Sequence, residues 1–202
     1  MKALPERLAM SASFDGEVTW HSLDWAEIQA SVRKTQLKIA QATGDGNWRR
    51  VKRLQRMLTH SFHGRCLAVR RVTENRGRKT PGVDGEKWAT PQLKLQAVMR
   101  LSQERGYRPK PLKRVWIPKP GEQERRPLGI PTMLDRAMQA LYLLALEPVT
   151  ESTSDPKSYG FRPDRSTADA MVELFALLSR QDSPQWIMEG GRHQGVLRQH
   201  QS

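Results

Sequence analysis

The stretch Arg114-Val115-Trp116-Ile117-Pro118-Lys119-Pro120-Gly121-Glu122-Gln123-Glu124-Arg125-Arg126-Pro127-Leu128-Gly129-Ile130-Pro131-Thr132-Met133-Leu134-Asp135-Arg136 decides how the chain is read. Val115, Trp116 and Ile117 are strand-forming residues stopped by Pro118. Lys119-Pro120-Gly121-Glu122 has turn chemistry, and Leu128-Gly129-Ile130 resumes the extended pattern until Pro131. Two short strands joined by a charged turn make a hairpin. Thr132-Met133-Leu134-Asp135 then opens a helix as a capping box, with Asp in place of the usual Glu or Gln. Lys119 near one end of the hairpin, with Arg125 and Arg126 across from it, suits a phosphate-rich ligand. A guanidinium offers a planar fork to phosphate oxygens, and lysine a mobile point charge.

Helical periodicity governs the flanks. Trp25, Ile28, Val32, Leu37 and Ile39 predict a helix from Asp24 to about Ala42, broken by Gly44-Asp45-Gly46. From Asn47, the residues Trp48, Val51, Leu54, Leu58 and Phe62 recur every three to four positions, which puts Arg49, Arg50, Arg53 and Arg56 on other faces. A break near Ser61 precedes a helix from about Gly64 to Glu74. Arg76 to Gly85 reads as a glycine-rich loop, and Thr90-Pro91 starts a helix that runs to about Gln103. Gly106-Tyr107-Arg108-Pro109 leads into the hairpin. The helix opened by Thr132 carries Met138, Leu141, Tyr142, Leu144, Ala145 and Leu146 and should stop at Glu147-Pro148. Being apolar around most of its circumference, it demands burial on several sides. Ser166-Thr167-Ala168-Asp169 caps a last helix through Met171, Leu174, Phe175 and Leu178.

The charge is large and uneven. Basic residues number 34 against 21 acidic, a formal net charge of +13 with pI near 10.5. Between Arg33 and Lys79, 14 Lys and Arg stand against only Asp45 and Glu74. So dense a single-sign segment points to a polyanionic partner, RNA above all. One cysteine, Cys66, excludes an internal disulfide and fits a reducing compartment. No apolar run reaches about 18 residues, and Met1 to Glu6 has no signal-peptide core, so a cytoplasmic protein that does not enter membranes is expected. His60, His63 and Cys66 share helical spacing but lack a fourth ligand, so metal binding is not expected there. Asp135 and Asp169 read as helix-start residues, and Asp155 and Asp164 flank a turn.

Several of these blocks resemble one family. Ile117-Pro118-Lys119, Arg126-Pro127-Leu128-Gly129-Ile130-Pro131-Thr132 and Asp135-Arg136 are similar to the fingers of group II intron reverse transcriptase/maturases. Ser158-Tyr159-Gly160-Phe161-Arg162-Pro163, with Arg165, Asp169 and Ala170, resembles the next block, and Lys79-Thr80-Pro81-Gly82-Val83-Asp84-Gly85 the N-terminal extension. The resemblance spans roughly residues 45 to 190. It implies an α+β, predominantly helical fold: N-terminal helices, a fingers β-hairpin and the first part of a polymerase palm, incomplete. Together with the lack of any sustained period in residues 1–22, it gives a flexible N-terminus (1–22), a basic helical extension (23–106), fingers and start of palm (107–190), and a frameshifted tail (191–202). It also implies that Lys119 and Arg126 contact the triphosphate of the incoming nucleotide, with Arg125 as the alternative because the turn holds one extra residue. Arg49, Arg50, Arg53, Arg56, Arg78, Lys79, Arg114 and Arg162 are the expected contacts to template and intron RNA.

The family's magnesium ions are expected in the intact polymerase but not in this chain. The first carboxylate of the family lies just past the strand that Trp186-Ile187-Met188-Glu189 resembles, and the others in a Tyr-x-Asp-Asp turn. No such turn occurs, and no acidic residue follows Glu189. With synonymous codons chosen to favour the match, the residues from Arg192 read one base out of frame as Asp-Ile-Lys-Gly-Cys-Phe-Asp-Asn-Ile, similar to the family's first catalytic block. The expectation is a frameshift near Gly190 or Gly191, and a chain that binds RNA without polymerising. An incomplete core, exposed apolar surface and marginal stability are expected with it, because most of the palm that would cover its last two helices is missing. An inert, poorly folded remnant of a mobile element, or completion by a separately encoded palm fragment, are the alternatives.

Overall fold

The computed structural model describes residues 19–103, 107–118 and 125–180. Among these residues six α-helices, α1 (Trp25–Gly44), α2 (Trp48–His60), α3 (Phe62–Glu74), α4 (Pro91–Gln103), α5 (Met133–Thr153) and α6 (Thr167–Leu178), accompany two strands, β1 (Lys113–Pro118) and β2 (Arg125–Ile130). The predominantly helical α+β fold expected from the sequence is the fold observed. The strands pair antiparallel with Lys113 opposite Ile130, Val115 opposite Leu128 and Pro118 opposite Arg125. Residues up to Thr153 and those from Ser154 onward form two compact units.

In the first unit α5 is the hub on which α1, α2, α3 and α4 pack. One cluster joins Ile28, Val69, Val98, Met133, Met138 and Leu141; a second joins Val32, Ile39, Val51, Leu54, Leu58 and Ala145. Burying each such aliphatic side chain stabilises the fold by about 1.5–3 kcal/mol. Local signals fix the helix ends. The Asp24 carboxylate accepts hydrogen bonds from the Ala26 and Glu27 N–H groups, both at 3.0 Å. The Ser61 hydroxyl donates to the Leu58 carbonyl at 2.8 Å and accepts from Gly64 N–H at 2.9 Å, closing α2 and opening α3. A Cβ at Gly64 would lie 2.6 Å from the Leu58 carbonyl oxygen, so the tight α2–α3 corner requires glycine.

Three expectations need correction or refinement, and a fourth is met. The helix after Thr132 does not stop at Glu147: α5 continues through Pro148 to Thr153. Proline has no N–H for the Leu144 carbonyl, but Gln36 donates its side-chain amide to that oxygen at 2.9 Å, and Gln55 donates to Ala145 O at 3.0 Å. Tertiary donors thus satisfy the carbonyls at the proline. The exposed apolar surface expected where most of the palm is missing is present on α5. Tyr142, Leu143 and Leu146 are exposed, because the surrounding helices cover only the stripe that includes Ala137, Met138, Leu141 and Ala145. Arg76–Lys79, read as loop, forms a 3-10 turn. Trp20, in the segment expected to be flexible, is buried (3 % exposed) beside Trp25, and a Thr19/Ser22 capping box closes the 3-10 turn Trp20–Ser22.

The second unit consists, among its described residues, of the turn before Ser166 and α6. The Ser166/Asp169 capping box forms as the sequence predicts. No residue of α6 is buried, and Met171 and Phe175 are largely exposed. Residues 1–18, Gly106, Lys119, the strand expected at Trp186 to Glu189 and the tail expected to be frameshifted lie outside the described residues.

Candidate nucleic-acid interface

The cationic surface begins with α2. Val51, Leu54 and Leu58 fix its buried face. At 100° per residue, Arg49, Arg53 and Arg56 then align on the opposite face, with Arg50 and Lys52 flanking. All five side chains are exposed, and none pairs with a described carboxylate. A lone helix with five cations would repel itself, so burial of the apolar face is what holds the array in place. Lys52 was missed in the sequence reading, although its place on the helical wheel was available. Arg78 and Lys79 are exposed on the 3-10 turn that follows α3.

The hairpin carries the second group. Its strands pack substantially only against each other, so both faces stand clear of the helices. Side chains alternate across a strand, and the register therefore sorts the charges. Arg114, Trp116 and Arg125 share one face with Pro127 and Gly129; Lys113, Ile117 and Arg126 share the other with Leu128. Arg125 and Arg126, left as alternatives by the sequence, point to opposite sides. Trp116 is half exposed between the two arginines of its face. Lys113 was not singled out from sequence, because the face it shares with Arg126, four positions along the hairpin, is visible only once the register is known.

What anchors the hairpin is a buried carboxylate. Asp135, at the start of α5, is 3 % exposed. It accepts from the Thr132 hydroxyl at 2.6 Å, Thr132 N–H at 3.3 Å, Lys110 N–H at 3.4 Å, and the Tyr107 hydroxyl. Asp135 therefore joins the chain entering the hairpin to the chain leaving it. Burial alone would push its carboxyl up, but the hydrogen bonds, the Thr132 and Tyr107 hydroxyls foremost, outweigh that and hold it below the ordinary carboxylate range.

Arg136 does the same for the loop. Its guanidinium donates to the carbonyls of Gly77 at 2.9 Å, Thr80 at 2.6 Å and Pro131 at 3.1 Å. Burial lowers its pKa, with Asp84 opposing. Pro81-Gly82 lies directly on the Pro131-Thr132 backbone, where a Cβ at Gly82 would come within 2.6 Å of Thr132 Cα. Lys110 and Asp84 form an ion pair at 3.5 Å. The Thr80-to-Gly85 block, expected near template, thus packs on the hairpin root. Asp135 and Arg136 were legible as motif residues; their partners, 25 to 59 positions away, were not.

In the second unit the Arg162 guanidinium donates to the Asp155 carbonyl at 2.6 Å, and Arg165 to the carbonyls of Pro156 and, at 3.0 Å, Ser158. Both arginines brace the turn that holds Phe161 and Asp164 at positive φ. Among the described residues no three His, Cys, Asp or Glu side chains group as a metal site. Cys66 is buried, which pushes its thiol up to about 12. The described donors therefore do not fit a polymerase magnesium pair.

Sequence comparison agrees with this architecture. The family described as the N-terminal domain of reverse transcriptase matches residues 20–101, and the family described as reverse transcriptase (RNA-dependent DNA polymerase) matches residues 117–190. Protein YkfC of Escherichia coli (strain K12) is 34 % identical over 165 residues, 79 % of this chain and 43 % of that protein. The group II intron-encoded protein LtrA of Lactococcus lactis subsp. cremoris is 30 % identical over 125 residues, 61 % of this chain and 20 % of that protein. The chain spans less than half the length of these relatives. It belongs to the group II intron-type reverse transcriptases, as an N-terminal section comprising the N-terminal domain and the beginning of the polymerase domain.

Proposed function

We propose that these residues form the RNA-gripping section of an RNA-directed DNA polymerase and maturase encoded by a group II intron, with the intron RNA and the template as partners. The observation that carries the proposal is the α2 stripe of Arg49, Arg53 and Arg56, exposed, free of described carboxylates and braced from behind by a fully apolar face. Such a comb neutralises backbone phosphates without reading bases. Arg50, Arg78 and Lys79 extend it. On the hairpin, Lys119 and Arg126 receive the triphosphate of the incoming nucleotide, while Arg114 and Arg125 contact template on the other face. The strand register supports the separation of Arg126 from Arg114 and Arg125. Arg162, occupied with its own turn, reaches RNA only through the exposed rim of that turn.

These residues bind RNA and do not themselves supply the carboxylates that hold magnesium, since no Tyr-x-Asp-Asp turn occurs among them. The exposed apolar face of α6 calls for further palm structure, continuous or separately made. No described helix is long and apolar enough to cross a membrane, and the proposed setting is the cytoplasm. The test is affinity for structured RNA across a salt series. Replacing Arg49, Arg53 and Arg56 with Ala should flatten the log–log salt slope by about 2–3, since each lost phosphate contact removes about 0.7–0.9. Salt-insensitive binding, or an unchanged slope in the triple variant, would overturn the proposal.

A further inference from the structure

Between the end of α3 and the middle of α5 lies a groove of about 390 Å³, at the lower end of the ~300–1,000 Å³ range of small-ligand clefts. Its floor is apolar: Val72, Ala140 and Leu143. Around the rim stand Arg71, Asn75 and Gln139, all exposed. None of these three side chains makes a hydrogen bond or ion pair within the described structure. Asn75 precedes the 3-10 turn Arg76–Lys79 without capping it, although capping is its usual role there. The remaining wall is Arg136, whose guanidinium is held still by the carbonyls of Gly77, Thr80 and Pro131.

We propose that this groove takes an unpaired nucleobase of bound RNA, a binding site that rests on the RNA-binding reading but is separate from the phosphate comb of α2. Three features select that ligand. A flat aromatic ring fits an apolar floor open to solvent on one side, where the sugar and phosphate must remain. The Asn75 and Gln139 amides each present a donor and an acceptor, the combination that pairs with base edges. Arg76, Arg78 and Lys79 follow Asn75 directly and supply cations where the flanking phosphates would run. Proteins read RNA sequence chiefly through such splayed bases, since the deep groove of the A-form helix is closed to side chains. An acidic peptide would use the cations but leave both amides and the floor idle.

The test compares two RNA duplexes with the full chain at fixed salt: one carries a single unpaired adenosine, the other an abasic residue at the same position. The unpaired base should tighten binding roughly ten-fold, as one well-placed amide contact to a base edge typically does. In the Asn75→Ala/Gln139→Ala variant this preference should disappear while affinity for the abasic duplex stays unchanged. Both residues are exposed, and an unaltered thermal transition confirms the fold. Equal binding of the two duplexes by the native chain overturns the groove proposal. If that equal binding keeps its steep salt dependence, the phosphate comb stands and only the groove falls. A base preference that survives the double substitution, or no RNA binding at all, also overturns it.

Discussion

Asp135 should behave as the structural keystone of the hairpin root. Substitution by Ala leaves the N–H groups of Thr132 and Lys110 without their acceptor and deprives the Tyr107 and Thr132 hydroxyls of a charged partner. A buried donor left unpaired costs about 1–3 kcal/mol. Two of these bonds are long, at 3.3 and 3.4 Å, and the hydroxyls can turn elsewhere. The net loss should be about 3 kcal/mol, a large share of the ~5–15 kcal/mol that stabilises a domain. Tyr107→Phe removes one bond of the four and should cost only about 1–1.5 kcal/mol. The two changes together should cost less than their sum, because they share a contact. The carboxyl is held below its unfolded value of about 3.9, so its contribution is complete above that pH and fades as pH falls through the folded value. The gap between native protein and Asp135→Asn should therefore narrow below about pH 4. Urea unfolding monitored by circular dichroism, across pH, measures all of this. A loss under ~1 kcal/mol for Asp135→Ala, or a gap that widens in acid, would refute the reasoning.

Other positions give sharper local contrasts. Gly82→Ala should cost about 1–3 kcal/mol because its Cβ meets unyielding Thr132 backbone at 2.6 Å, whereas Gly129→Ala meets the movable Leu112 Cδ1 at 2.7 Å and should be milder; melting temperatures of the two variants decide. Gln36→Ala should cost about 1 kcal/mol in the native chain and almost nothing beside Pro148→Ala, where a restored N–H can reach the Leu144 carbonyl; a double-mutant cycle reads the difference. Cys66, its thiol pushed up to about 12, should resist alkylation at pH 8 in the folded protein and react promptly in urea.

The helices were legible because their signals are local. Thr90, Thr132 and Ser166 cap the helices the sequence assigns them, and the apolar spacing of α2 alone predicts which face its arginines occupy. Pro148 misled for the same reason: proline is a local breaker, and the amides of Gln36 and Gln55 that rescue the helix come from two other helices. The single sign of residues 33 to 79 was plain in the sequence, as were the motifs around Arg126, Asp135 and Arg162.

Sequence by itself determined the element types, the hairpin, the cationic character and the family resemblance, since each follows from neighbours within a few positions. Only the tertiary structure decided three further things: that Arg125 and Arg126 face opposite ways, that Asp135 and Arg136 bind segments 25 to 59 residues away, and that α5 leaves Tyr142 and Leu146 in solvent. Strand register, long-range hydrogen bonds and the number of helices available to cover a face arise from how the whole chain packs, and no local pattern encodes them.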